Sequence, residues 1–326
     1  MPIGTRRDAL TIADVEICMP AMPHFKKMED NAMTAAMLGN LRPLVQRFQM
    51  GSFELTTILD GAQIRPAISP PFCVDQSAET IAAHATANLL PTDSFENTFT
   101  PTIVNTGEAL VLFDTGNGAM RRDAGAGHLR ERLSLAGYRP EDVDVVAFTH
   151  VHPDHIGGVR EGDALAFPNA RYVIGEVEFD EWSRGDRIPP QRKENREMFQ
   201  RLIVPLADKM TFLKPGDDVV AGIRAVEAFG HSLGHMAYMV ESDGKAVLIW
   251  GDVTNHYAFS LQKPEWQVGF DDDKQQAIAT RKRILDMAAT DRLTIIGHHM
   301  PFPAIGFVEN LNGHYRWLPA SYQLRV

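Results

Sequence analysis

The chain has 326 residues and a formal charge of −10, from 32 Lys and Arg against 42 Asp and Glu, with 44% hydrophobic and 23% charged residues. That balance excludes a disordered chain, and the acidic surplus argues against a phosphate-backbone partner, so no nucleic acid is expected. Two cysteines, Cys18 and Cys73, build no disulfide framework, and no run reaches the roughly 18 consecutive apolar residues of a membrane span; no membrane partner is expected and the chain reads as cytoplasmic.

In chain order, Arg6-Arg7 is the one hint of an export leader, but Asp8, Asp14 and Glu16 interrupt the apolar region it would need. Residues 1–50 hold seven of the 14 methionines without clean alternation. They read as an N-terminal extension, with a short helix at Ala32–Leu38, and as an arm packing on a partner subunit, since methionine adapts to irregular surfaces. Residues 51–326 read as one domain. Phe53–Leu59 predicts a strand closed by Asp60-Gly61. Ser77–Leu90 predicts a helix with Ser77 as cap and Pro91 beyond its end. Thr102–Asn105 and Ala109–Phe113 read as a hairpin about Thr106-Gly107-Glu108. A helix follows at His128–Ala136, then buried strands at Val143–Phe148 and Arg171–Ile174, a loop at Gly185–Pro190 and a long amphipathic helix at Gln191–Leu206. Strands return at Ile223–Ala228, Ala237–Val240 and Ala246–Trp250, then a helix at Asp273–Ala289 and a strand at Leu293–Ile296. Two groups of short strands, each followed by helices, predict two sheets packed face to face with helices outside, an α/β (α+β) architecture.

One segment carries chemistry: His150-Val151-His152-Pro153-Asp154-His155-Ile156-Gly157-Gly158, directly after a buried strand. Four metal-binding side chains within six residues are hard to explain as core packing. His150 and His152 lie two apart, so extended backbone points both to one side. Pro153 turns the chain, and Asp154 and His155 then reach an adjacent site. Further candidates stand just past apolar runs: His231 and His235 in Gly-His-Ser-Leu-Gly-His, Asp252 in Trp-Gly-Asp, and His298-His299. Loops converging at one sheet edge are a common way to build an active site.

This pattern, with Val111-Leu112-Phe113-Asp114-Thr115-Gly116 ahead of it, resembles the metallo-β-lactamase superfamily over roughly residues 53–318. Gly269-Phe270-Asp271, His299-Met-Pro-Phe-Pro and the closing Tyr315-Arg316-Trp317-Leu318-Pro319 are similar to the methyl parathion hydrolase branch, which holds phosphotriesterases and lactonases. The resemblance implies an αββα sandwich of two mixed sheets and two divalent metal ions. It implies His150, His152 and His231 on one ion, Asp154, His155 and His299 on the other, and Asp252 between them. His298 is the rival of His299, and His235 of His231. Nitrogen and oxygen ligands suit zinc, with iron, manganese or cobalt as alternatives. Asp114 is expected to accept a hydrogen bond from a ligand histidine, and His235 to support its loop.

The activity implied is attack by a hydroxide shared between the two ions on a lactone, N-acyl homoserine lactones included, or on a phosphotriester, with Asp154 and Asp252 as the catalytic carboxylates. A glyoxalase II-like thioesterase is the alternative. A redox di-iron protein is disfavoured, because such proteins carry a glutamate where His152 stands. Many N-acyl homoserine lactonases have a tyrosine three residues past the bridging aspartate; here that place holds Asn255 and Tyr257 follows. For the substrate pocket the expected aromatics are Trp182 first, then Phe95, Phe99, Phe229, Tyr257, Phe259 and Phe270, a lining that would favour acyl chains or aryl leaving groups. The resemblance and the Met-rich arm together imply a homodimer.

Overall fold

The computed structural model describes residues 37–320. Cys18, the helix expected over Ala32–Leu38 apart from its last two residues, and most of the expected arm lie outside them. Two seven-stranded sheets form the frame. The first runs, in spatial order, Val45–Met50, Phe53–Ile58, Thr102–Asn105, Leu110–Phe113, Val145–Ala147, Arg171–Gly175 and Met210–Leu213. The second runs Asp218–Val220, Ile223–Glu227, Met236–Ser242, Lys245–Ile249, Thr294–Ile296, Ile305–Leu311 and His314–Pro319. Both are mixed: Val145–Ala147 is parallel to both of its neighbours, and Lys245–Ile249 is parallel to Thr294–Ile296.

Strand alternation explains the layering, because successive side chains point to opposite faces. Val111 and Phe113 enter the layer between the sheets, while Leu110 and Leu112 face the helices on the outside of the first sheet. In the second sheet Tyr238, Val240, Val247 and Ile249 face the same inter-sheet layer. Ala237, Leu248 and Trp250 turn outward onto Ile284, Leu285 and Ala288 of the helix Lys274–Thr290. The outer layer of the first sheet is filled by Leu129, Leu133, Trp182, Phe199 and Leu202. The expected αββα sandwich is therefore present.

Local signals account for most element ends. Ser77 Oγ accepts from the Thr80 N–H at 3.2 Å and caps Ala78–Ala87, and Asp273 caps Lys274–Thr290 by accepting from Gln276 N–H at 3.0 Å. The long helix expected over Gln191–Leu206 is α-helical only at Lys193–Leu202, because Pro205 lacks an N–H and the chain tightens into a 3₁₀ turn at Val204–Lys209. Likewise His128–Ala136 divides into one α-turn, Leu129–Arg132, and a 3₁₀ turn, Leu133–Ala136. The sheet begins earlier than residue 51: Val45–Met50 pairs antiparallel with Phe53–Ile58, and Phe48 and Met50 are buried in the inter-sheet layer. A closing hairpin, Ile305–Leu311 with His314–Pro319, turns on Asn312-Gly313, both at positive φ (56° and 87°) as a tight hairpin turn requires. Among the described residues no helix is long and apolar enough to cross a membrane.

Candidate metal centre

The candidate ligands converge where strands end. Val145–Ala147 leads to His150, His152, Asp154 and His155; Ile223–Glu227 to His231; Lys245–Ile249 to Asp252; Thr294–Ile296 to His298 and His299. Their ligand atoms gather in three overlapping groups, each within 4.8 Å: His150, His152 and His231; His150, His155 and Asp252; Asp154, His155, His298 and His299. His152 Nδ1 lies 3.0 Å from His231 Nε2, and His299 Nε2 lies 3.1 Å from Asp252 Oδ2 and 3.3 Å from Asp154 Oδ2.

Five of the inward-facing imidazoles, those of His150, His152, His155, His231 and His299, are held by their other nitrogen. His155 Nδ1 is 2.8 Å from Asp114 Oδ2, and Asp114 also accepts from Thr149 N–H and Oγ1–H at 2.8 and 2.9 Å. His231 Nδ1 is 3.0 Å from Asp271 Oδ1, whose other oxygen takes the buried Arg281 guanidinium at 2.7 Å. His152 Nε2 is 3.3 Å from Asp272 Oδ2, His299 Nδ1 is 2.7 Å from the Thr98 carbonyl, and His150 Nδ1 is 3.0 Å from Thr149 Oγ1. Carboxylate or carbonyl partners of this kind fix the tautomer and aim the free nitrogen. Asp114 sits at a φ of 61°, an unfavoured conformation for a non-glycine residue at the turn that aims its carboxylate.

Several inward atoms have no hydrogen-bond partner although they are fully buried: His150 Nε2, His155 Nε2, His298 Nε2 and Asp252 Oδ1. An unpaired buried polar atom is costly, and four pointing into one nitrogen and oxygen cluster fit bound cations. His298 thus brings a free nitrogen to the cluster, but only His299 also lines the open cleft. His235 accepts from the Asp252 N–H at 3.0 Å, which positions the Asp252 loop.

Electrostatics follow from the packing. Burial is the largest single influence and would lower the His231 and His299 imidazoles, but the facing carboxylates, Asp252 with Asp271 for His231 and Asp252 with Asp154 for His299, together outweigh it and lift them to about 9 and about 10. Burial, with Arg192 nearby, takes His152 down to about 4, and burial with His231 takes His235 to about 3. Burial would raise Asp252, yet His299, His155 and His231 hold it well below the usual carboxylate range.

Three residue sets escaped the sequence reading. Asp271 and Asp272 precede a helix cap and look like ordinary turn residues until the fold sets them behind His231 and His152. Glu178 is fully buried and accepts from Val151 N–H at 3.0 Å, Ser232 Oγ–H at 2.6 Å and Gly234 N–H at 2.8 Å, so it ties the His150–His152 loop to the His231 loop; burial pushes its carboxyl up to about 7. Asp60, read only as a turn, accepts from Asn117 N–H and Nδ2–H, Gly127 N–H and Leu129 N–H at 2.8–3.0 Å.

The cleft over the cluster has a volume of 180 Å³ and is lined by His152, Asp154, His231, Asp252 and His299 together with Phe99, Phe270, Pro153, Asn97 and three arginines, Arg65, Arg121 and Arg192. The expected aromatic lining is corrected accordingly. Trp182 is fully buried behind the site, its ring 5.7 Å from that of His152 and its Nε1–H donating to Ser232 Oγ at 2.9 Å. Phe95 and Phe259 pack with Phe72 in a separate apolar cluster, and Phe229 packs against the inter-sheet layer. Tyr257 stacks on His256 at 4.7 Å and does not line the cleft; Asn255 instead donates from Nδ2 to Asp252 Oδ2 at 2.9 Å. Cys73 is buried with its thiol pushed up to about 12 by burial, far from any ligand role.

An N-acyl homoserine lactonase of Bacillus cereus is 25% identical over 168 residues, which span 51% of this chain and 60% of that relative. A lactamase-like protein of Penicillium aethiopicum is 28% identical over 228 residues, 69% of this chain and 54% of that one. Among solved structures, the dizinc quorum-quenching lactonase AidC in complex with a product superposes with a TM-score of 0.80 at 24% identity, covering 86% of this chain and 98% of its own. The hydrolase AbOPH of the β-lactamase superfamily gives 0.79 at 25% identity, covering 87% and 100%. The family model described as the metallo-beta-lactamase superfamily matches residues 100–299, well over half of the sequence, and this chain belongs to that superfamily.

Proposed function

We propose that this protein is a metal-dependent hydrolase that opens lactones, N-acyl homoserine lactones among them, at a centre of two divalent ions, zinc by preference. The observation that carries the reading is the set of buried, unpartnered nitrogen and carboxylate atoms facing one another beneath an open cleft. The lactonase relatives support the substrate class. His150, His152 and His231 would hold one ion, Asp154, His155 and His299 the other, with Asp252 between. When bound, the ions supply Lewis acidity toward the substrate oxygen and make water acidic enough to react near neutral pH.

The chain's own residues do the rest. Both ligand carboxylates line the cleft, but the Asp154 side chain is 22% exposed, while that of Asp252 is 3% exposed and fixed by His231, His299 and Asn255. Asp154 is therefore the carboxylate placed to orient the attacking water and to carry its proton. The water oxygen bonds to the carbonyl carbon, the ring C–O bond breaks, and one proton passes to the leaving oxygen to give a hydroxyl, while the new carboxylic acid releases the other to solvent and leaves as a carboxylate. The same attack on phosphorus would cleave a phosphotriester, a second class we propose for this site. We also propose a homodimer; a monomer mass by light scattering of the full chain would overturn that part.

The test is metal analysis with a substrate panel of N-hexanoyl homoserine lactone, paraoxon and a glutathione thioester. Two zinc equivalents and lactone turnover are expected. Turnover of the thioester alone would favour a glyoxalase II-like role, and full activity in metal-free protein would overturn the reading.

A further inference from the structure

Resting on the reading of the cleft as a hydrolytic site, we infer that its substrates carry a carboxylate remote from the bond that is cut, held by Arg65 and Arg121. Arg65 ends the strand Gly61–Arg65, and Arg121 lies in the 3₁₀ turn Ala119–Ala124; both line the cleft that holds Asp154, Asp252 and His299. Among the described residues neither side chain has a hydrogen-bond or ion-pair partner. Their neighbours differ. Arg122 forms a two-pronged pair with Glu161 at 2.7 and 2.6 Å, and Arg192, the third arginine of the cleft, is taken by Asp272 at 2.9 Å and by the Phe270 carbonyl.

The two carboxylates of the cleft do not answer these guanidiniums. Asp252 and Asp154 are turned to the histidines. The mouth of the cleft is thus cationic in a chain whose net charge is −10. A free guanidinium offers a rigid fork of donors that matches a carboxylate through two parallel bonds. The cleft, of 180 Å³, is open to solvent and can admit a linker that carries a carboxylate toward the two arginines. Phe99, Phe270 and Pro153 supply apolar wall for that linker. The substrate class is therefore a lactone whose acyl substituent ends in a carboxylate, in place of the plain apolar acyl chain that an aromatic pocket would have selected.

The test uses the zinc-loaded full chain and two ring-opened probes of equal length, N-adipoyl-L-homoserine and N-hexanoyl-L-homoserine, which differ only in a terminal carboxylate against a methyl group. Calorimetric titration should give at least about tenfold tighter binding of the adipoyl probe. The preference should shrink severalfold between about 50 mM and about 500 mM salt, as screening requires. The affinity ratio should fall toward one in Arg65→Gln and in Arg121→Gln, with zinc content unchanged. Equal affinities in the wild type, or a preference that survives both substitutions, overturns the inference. The matching lactones are assayed alongside. Retained probe preference without turnover of either lactone would remove the hydrolase reading and leave the carboxylate site standing; turnover of both without preference would do the reverse.

Discussion

Five inward histidines are aimed by a partner on the far nitrogen, so the site is sensitive to residues that never touch substrate. His152→Ala removes an inward nitrogen; bound zinc should fall below two equivalents and kcat/KM by at least about 100-fold, read by metal analysis beside lactone assays. Asp114→Asn keeps the shape but offers an amide where His155 Nδ1 and Thr149 need an acceptor; zinc affinity should weaken by about 10–100-fold in a chelator competition. Asp271→Ala should cost more in stability, because Arg281 is fully buried and its charge would keep only carbonyl partners. A loss of about 3–5 kcal/mol is expected by urea denaturation, and a loss under 1 kcal/mol would show that the carbonyls of Val253 and Pro264 suffice.

Elements place these residues by bringing loops against one another at close range. Gly158 ends the histidine-rich segment where a Cβ would stand 2.0 Å from the Thr115 carbonyl oxygen, and a Cβ at Gly234 would stand 2.1 Å from the Glu178 backbone nitrogen. Gly158→Ala should therefore lower Tm and zinc content together, since Thr115 N–H and Oγ1–H donate to the His155 carbonyl at 2.7 and 2.9 Å. A variant with wild-type melting temperature would mean the loop shifts freely. At this scale the sequence was most readable where an apolar run stopped at a chemical residue. The runs ahead of His150, Asp252 and His298 were legible as strands because both faces of each are buried. The strand Phe95–Phe99, with polar residues between its phenylalanines, and the charged helix Glu176–Arg184 gave no comparable pattern, and each is held by tertiary packing.

For the whole molecule, protons and metal compete for the same atoms. In metal-free protein the carboxylates of Asp252, Asp271 and Asp154 together outweigh burial and raise His231 and His299 to about 9 and about 10, above the unfolded value near 6.5. The folded state then binds more protons, so this contribution is complete below about pH 6.5 and is lost as pH rises toward 9–10. The urea midpoint of zinc-free protein should fall across that window, while apparent zinc affinity climbs, because each ligand nitrogen must shed its proton to bind. A midpoint that rises with pH would contradict the arrangement. Chelation should also lower Tm at neutral pH, since free zinc at about 1,000 times its Kd adds roughly 4 kcal/mol to the folded state.

The sequence by itself determined the candidate metal-binding side chains and the architecture. Residue type and a two-residue spacing at a strand end mark atoms that can bind a cation, and buried apolar runs of strand length demand sheets covered on both faces. Only the tertiary structure decided what stands behind and above the ligands. Trp182 went to the core and Tyr257 to a stack on His256, while Arg65 and Arg121 came to the cleft. A side chain's facing depends on which surfaces meet across dozens of intervening residues, and no local periodicity records that meeting.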